Sequence, residues 1–239
     1  MKEMRFIANK RQYIPSLLFL MLCSIFLFSS CHYFNNKQEK DNSFKMGEAV
    51  HPLYKLDVAK TEISWNAYKT NDKIKVGGYF KDVSIDREDQ ISNSFYDLID
   101  GLKFSINSLS SSSGDSMRDL TLNDYFFSYL SQDFRINGAL GRPINDSIDV
   151  FFDIFGQEKV IRLAFVNYTI PPYFDQVIEL KGTIHLEKQF NAIKAYNSLH
   201  EKCINLHRGA DGVSKTWKEV VVNVRTVIIN TSVDRIKNY

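Results

Sequence analysis

Cysteine is scarce in this 239-residue chain, and the three present are too scattered to staple a fold. Cys23 and Cys31 lie within or beside an apolar run near the start, which leaves Cys203 alone in the body of the chain. No intramolecular disulfide is then available, so stability must come from a packed core. Glycine and proline are also few, at 11 and 5, while apolar residues make up 44% and aromatics 13%. That composition excludes a disordered chain, and a domain of this size buries roughly 70% of its unfolded surface. No basic block occurs. The whole chain has 30 Lys+Arg against 28 Asp+Glu, and the first 30 residues hold four of the bases (Lys2, Arg5, Lys10, Arg11) and one acid (Glu3). The remainder carries 26 against 27, a net charge of −1, with no electrostatic footprint for nucleic acid. Catalytic motifs are missing too. There is no Gly-x-Ser-x-Gly, His-Glu-x-x-His, Walker loop or Gly-x-Gly-x-x-Gly, so no enzymatic activity is expected.

What the chain does have at its start is an address. A basic stretch precedes Leu17–Phe28, an almost purely apolar run, and Ser29 and Ser30 follow before Cys31. This is the order of a secretory signal. Twelve residues span about 18 Å as a helix, short of the roughly 20 residues that a bilayer crossing needs. Phe28-Ser29-Ser30-Cys31 resembles a bacterial lipobox, whose cysteine is acylated and becomes the new N-terminus. The division read from the sequence is a signal peptide over 1–30, a lipidated Cys31 with a polar tether over 31–52, and a domain over 53–239. Such a protein sits in the bacterial cell envelope, lipid-anchored to a membrane, with its domain in the periplasm or at the cell surface.

Beyond Leu53 the alternation of apolar residues indicates strands. The clearest runs contain Ile63, Trp65 and Ala67; Leu102, Phe104 and Ile106; Ile148, Val150, Phe152 and Ile154; Ile178, Leu180, Ile184 and Leu186; and Val220, Val222 and Val224. Lys73–Ile85, with a bend expected at Gly77-Gly78, Phe134–Leu140, and Val160–Ile170, apolar on both faces, bring the number to eight. Two helices are expected, a short one over Arg118–Tyr129 and a longer one over Gln189–Leu206. So few helices cannot cover a parallel sheet, which makes the fold mainly β: an eight-stranded antiparallel barrel with one or two short helices. An open two-sheet sandwich is the alternative.

The chain resembles the YceI-like, polyisoprenoid-binding family, in which the barrel is lipocalin-like. The resemblance rests on Thr61-Glu62-Ile63-Ser64-Trp65, Val76-Gly77-Gly78-Tyr79-Phe80, Phe104–Leu109 leading into Ser110–Ser113, and Arg118-Asp119, Leu122 and Phe126-Phe127. It departs from the pattern at Thr121, where a histidine is common. Leu206–Trp217 is similar to a lipoprotein subgroup of the same family. The resemblance implies a carrier for a long isoprenoid or similar amphiphilic lipid, or a quinone, with no catalysis and no other cofactor.

A polyprenyl chain offers only apolar contact, so its site must be an apolar tunnel of inward strand residues. The candidates are Trp65, Phe80, Phe104, Ile106, Phe152, Phe165 and Leu180. Such residues equally suit a filled core, which would make the protein a structural or interaction lipoprotein without a ligand. His200, Cys203 and His207 fall on one face of a continuous helix, a spacing that suits a metal, yet no fourth ligand is evident and no metal is assigned. Arg118-Asp119 reads either as a headgroup contact or as the first turn of a helix. A homodimer stays open, since no interface is legible.

Overall fold

The computed structural model describes residues 51–154 and 156–234, all within one compact unit. The signal, Cys31 and the tether up to residue 50 lie outside the described residues. Among the described residues eleven strands occur in chain order: β1 (Tyr54–Lys69), β2 (Ile74–Phe80), β3 (Val83–Ile85), β4 (Ile91–Ser92), β5 (Lys103–Asn107), β6 (Ser111–Ser112) and β7 (Arg135–Leu140) come first. They are followed by β8 (Ser147–Ile154), β9 (Gln157–Ile170), β10 (Asp175–His185) and β11 (Glu219–Asn230). The helices are α1 (Phe95–Ile99), α2 (Ser116–Tyr125) and α3 (Ile193–Lys202).

All pairings are antiparallel, in the order β3-β5-β7-β8-β9-β10-β11-β1-β2-β6, with β4 added to β1. Only Lys81 and Asp82 separate β2, which pairs with β1, from β3, which pairs with β5. Residues 74–85 therefore act as one bent strand that brings the sheet round into a ring of eight. At the bend, Lys81 N–H donates to the Ser110 carbonyl at 3.3 Å and Asn107 N–H to the Asp82 carbonyl at 3.0 Å. The eight strands expected from alternation are those of this ring.

Three local expectations change. The bend lies at Lys81-Asp82, whereas Gly77 and Gly78 keep regular register opposite Asn66 and Trp65. Gly78 is there for space: a Cβ would stand 2.7 Å from the Trp65 ring and 2.8 Å from the Ser112 carbonyl. β9 buries a single face, Ile161, Leu163 and Phe165, and turns Val160 and Val166 outward. The second helix is shorter than Gln189–Leu206. Asn191 has φ +51° just before it, and after Cys203 the chain leaves in turns.

The helices close the two ends. α1 lies where β1 begins, with the Tyr54 and Phe95 ring centroids 6.0 Å apart, and buries Leu98 and Ile99 as a plug. The chain between β5 and β7, including α2, and the segment carrying α3 lie where β1 finishes. Asp115 starts α2 by accepting hydrogen bonds from Met117 and Arg118 N–H at 3.0 and 3.1 Å. Past α3, residues 207–217 fold into a small hairpin, bridged at Arg208 and Ser214 and paired to the end of β1 at Lys69 and Thr216.

Candidate functional site

The ring of strands does not fill itself. A cavity of about 220 Å³ runs through the interior. Alternate residues of β11, Val220, Val222, Val224, Thr226 and Ile228, form one wall over about 27 Å. β1 supplies a second wall through Leu56, Thr61, Ile63, Trp65 and Ala67, and β10 a third through Ile178, Leu180 and Ile184. Val220, Val222 and Val224 point into the middle of the barrel yet are only partly buried, because they border the empty space. In a packed core such positions are fully covered.

A modest volume along so long a wall makes a narrow channel. It is about half as large again as a cavity of roughly 150 Å³ that takes benzene, so about nine carbons fit in it as it stands. A longer chain must project from the channel or spread its cover. Fused rings suit it less well than a slender chain.

The wall carries no charged side chain. Its side-chain donors are taken up within the protein. Thr61 and Thr226 hydroxyls share a hydrogen bond at 2.7 Å, Trp65 Nε1 donates to Ser111 Oγ at 3.1 Å, and Trp217 Nε1 to the Thr70 carbonyl at 2.8 Å. Tyr196 donates its hydroxyl to the Thr216 carbonyl at 2.9 Å. A wall with its polar groups already paired gives water little to bind and favours an apolar occupant.

Of the seven interior residues expected from the sequence, Trp65, Phe80, Phe104, Ile106, Phe152 and Leu180 line this cavity. Phe165 is buried but does not reach the wall. Its ring is 6.4 Å from that of Tyr96, beside the α1 plug. Phe104 and Phe152 meet edge to face at 5.7 Å, and Phe152 meets Phe190 at 5.2 Å. Phe80, Phe126 and Phe127 form a second such set under α2.

His200, Cys203 and His207 do not assemble a metal site, and no group of three suitable ligands exists among the described residues. His207 lies beyond the end of α3, so the continuous helix that would align the three is absent. Both imidazoles turn instead to one hydroxyl: Thr216 Oγ1 is 3.0 Å from His200 Nδ1 and 2.6 Å from His207 Nδ1. Burial, with the charge of Lys69 and the neighbouring His200, lowers the His207 pKa to about 4. The ring is therefore neutral at physiological pH. Burial also pushes the Cys203 thiol up. Arg118 and Asp119 serve the start of α2. Arg118 lies 3.4 Å from the Asp115 carboxylate, and Asp119 accepts from Ser113 N–H at 2.8 Å.

Sequence reasoning missed the α1 plug and the part played by Thr216 and Trp217. Five residues are too few to show a helical period, and a threonine in a turn-rich stretch gives no signal until the hairpin places it.

The fold and cavity define a class, the lipocalin-like antiparallel barrel. No protein-family model and no curated protein matches the sequence. Among solved structures, the chain resembles a polyisoprenoid binding domain from Saccharophagus degradans implicated in plant cell wall breakdown. Identity is 12% and the TM-score 0.53, over 74% of this chain and 98% of that one. BcnA of Burkholderia cenocepacia matches at 15% identity and a TM-score of 0.47, over 72% and 98%. The YCEI protein of Campylobacter jejuni matches at 18% and 0.42, over 64% and 83%. The first of these likenesses shows that the fold is the one implied by the YceI-like resemblance.

Proposed function

We propose that this protein is a binding or carrier protein for a slender amphiphilic lipid, an isoprenoid chain foremost, held inside its barrel and not chemically changed there. The observation that carries the reading is the narrow, uncharged channel lined along the length of β11. Each buried methylene contributes about 0.8 kcal/mol, so a chain that lies along the channel gains with every unit it inserts. The Saccharophagus degradans domain of like fold is named for polyisoprenoid binding, which supports the same reading here. Acylation of Cys31, reached by a tether of some twenty residues, would hold the domain close to the membrane from which such a lipid comes.

Both tryptophans of the chain, Trp65 and Trp217, are in the channel wall and serve as reporters. Titration of residues 32–239 with geranylgeraniol should give a saturable change in tryptophan emission at about one ligand per chain. A linear, non-saturating response, matched by free tryptophan under the same conditions, would refute the proposal.

A further inference from the structure

The channel wall is uncharged, yet two cations lie against one of its side chains, Trp217. The hairpin over 207–217 docks on the end of β1, where Thr70 N–H donates to the Lys215 carbonyl at 2.9 Å. This brings Lys73 and Lys215 against Trp217, with Lys69 paired to the neighbouring Thr216 and its charge felt at Cys203 and His207. The ammonium groups of Lys73 and Lys215 lie 4.0 and 3.9 Å from the centroid of the indole, which is itself part of the channel wall. Indole faces attract cations, but they do not neutralise them. None of the three lysines has a carboxylate partner among the described residues, unlike Lys55, Lys60 and Lys218. The carboxylate of Asp211, in the same hairpin, is taken up by Asn71 Nδ2 and Val213 N–H at 2.6 and 3.0 Å.

A second observation falls at the junction of this hairpin with the end of β1, where the Thr70 side chain faces Gly209. The hydroxyls of Thr70 and Ser214 are buried without a protein partner, two of the three such side-chain atoms among the described residues. A hydroxyl left so is desolvated without compensation, and its proton lacks an acceptor. Cations, idle donors and an apolar channel leading up to them have one common complement, an amphiphile with an anionic oxygen-rich head.

We propose that the Lys73–Trp217–Lys215 end of the barrel, with Lys69 beside it, receives the anionic head, phosphate or carboxylate, of the lipid whose tail occupies the channel. This rests on the reading of the barrel as a lipid binder.

The test compares three ligands with one C20 tail, geranylgeranyl phosphate, geranylgeranoic acid and geranylgeraniol, on residues 32–239, the part that contains the whole compact unit. The two anions should bind at least about tenfold more tightly than the alcohol in dilute buffer, and that advantage should shrink several-fold at about 500 mM salt. A Lys73→Gln/Lys215→Gln variant should bring the ratio close to one, and Lys73→Arg/Lys215→Arg should keep it. Equal affinity for all three ligands in the natural sequence would overturn the head site and leave the channel standing. An anion advantage that survives the glutamine substitutions would also overturn it. If inorganic phosphate displaces geranylgeranyl phosphate as well as the lipid itself does, the cations form a surface ion site separate from the channel, against the proposal. Failure of all three lipids would sink the binder reading itself. Should the glutamine variant fail to fold, the salt dependence of the ratio in the natural sequence still decides the matter.

Discussion

Replacing Val224 by Phe separates a hollow barrel from a filled one by the sign of a stability change. Val224 sits opposite Ile63 on β1 and Leu180 on β10, points inward, and is only partly buried because it borders the cavity. Phenylalanine adds four carbons there. In empty space each contributes up to about 0.8 kcal/mol, so the variant should be as stable as the natural protein or more so, by at most about 3 kcal/mol. In a packed core the same insertion costs about 1–3 kcal/mol. Each kcal/mol moves the melting temperature of a domain this size by about 2–4 °C, so opposite signs are readily distinguished. Urea unfolding at constant slope gives the free energy, and geranylgeraniol titration gives the companion readout. The variant should hold its stability and lose at least about tenfold in affinity, as the ring takes up channel volume. Destabilisation by 1 kcal/mol or more together with unchanged lipid uptake would refute the reasoning.

Other consequences follow from single residues. The His207 pKa is lowered from an ordinary 6.5 to about 4, so the folded protein disfavours a proton that the unfolded chain accepts. Stability is therefore complete above pH 6.5 and is lost as the pH falls towards 4, by about 1–2 kcal/mol after allowing for the partial exposure of the ring. Urea midpoints at pH 7 and 4.5 should show this loss, and His207→Gln should reduce it; an equal loss in the variant would place its origin elsewhere. Gly78→Ala puts a methyl group against the Trp65 ring and the Ser112 carbonyl, both held in place, and should cost about 1–3 kcal/mol in the same assay. Cys31→Ala should abolish incorporation of labelled palmitate in a bacterial host, while retained label would show that the anchor is not at that residue.

Much of the barrel was legible because each strand hides one face. Ile148, Val150 and Ile154 of β8, or Ile178, Leu180 and Ile184 of β10, keep period two, and such runs leave few alternatives, whereas β9 was read as apolar on both faces because Val160 and Val166, which turn outward, are as apolar as its buried residues. The helix at 189–206 was read too long for a physical reason. Phe190 is buried from the turn before α3 and Leu206 is exposed beyond it, so residues that share helical spacing need not share a helix. Six of the seven interior residues could be named from alternation, since inward faces follow from strand parity. Hollowness could not be read, because Val222 and Val224 look alike in a filled barrel and an empty one. His200, Cys203 and His207 shared a helical face in the sequence, with no metal assigned, but the meeting point of the two imidazoles, Thr216, lies 16 and 9 residues away and is delivered by the hairpin. The lysines around Trp217 come together in the same way, from the turn after β1 and from the hairpin, and no spacing in the chain announces them.

The central claim is that the barrel carries a slender lipid. Its most direct test is mass spectrometry of the organic extract from residues 32–239, exported behind a cleavable signal in a bacterial host and purified without detergent. The account predicts one dominant long-chain species, with an isoprenoid mass pattern, near one per chain. An empty extract, from a protein that also takes up no added polyprenyl ligand, would contradict it and leave a barrel whose work is done on its outer surface.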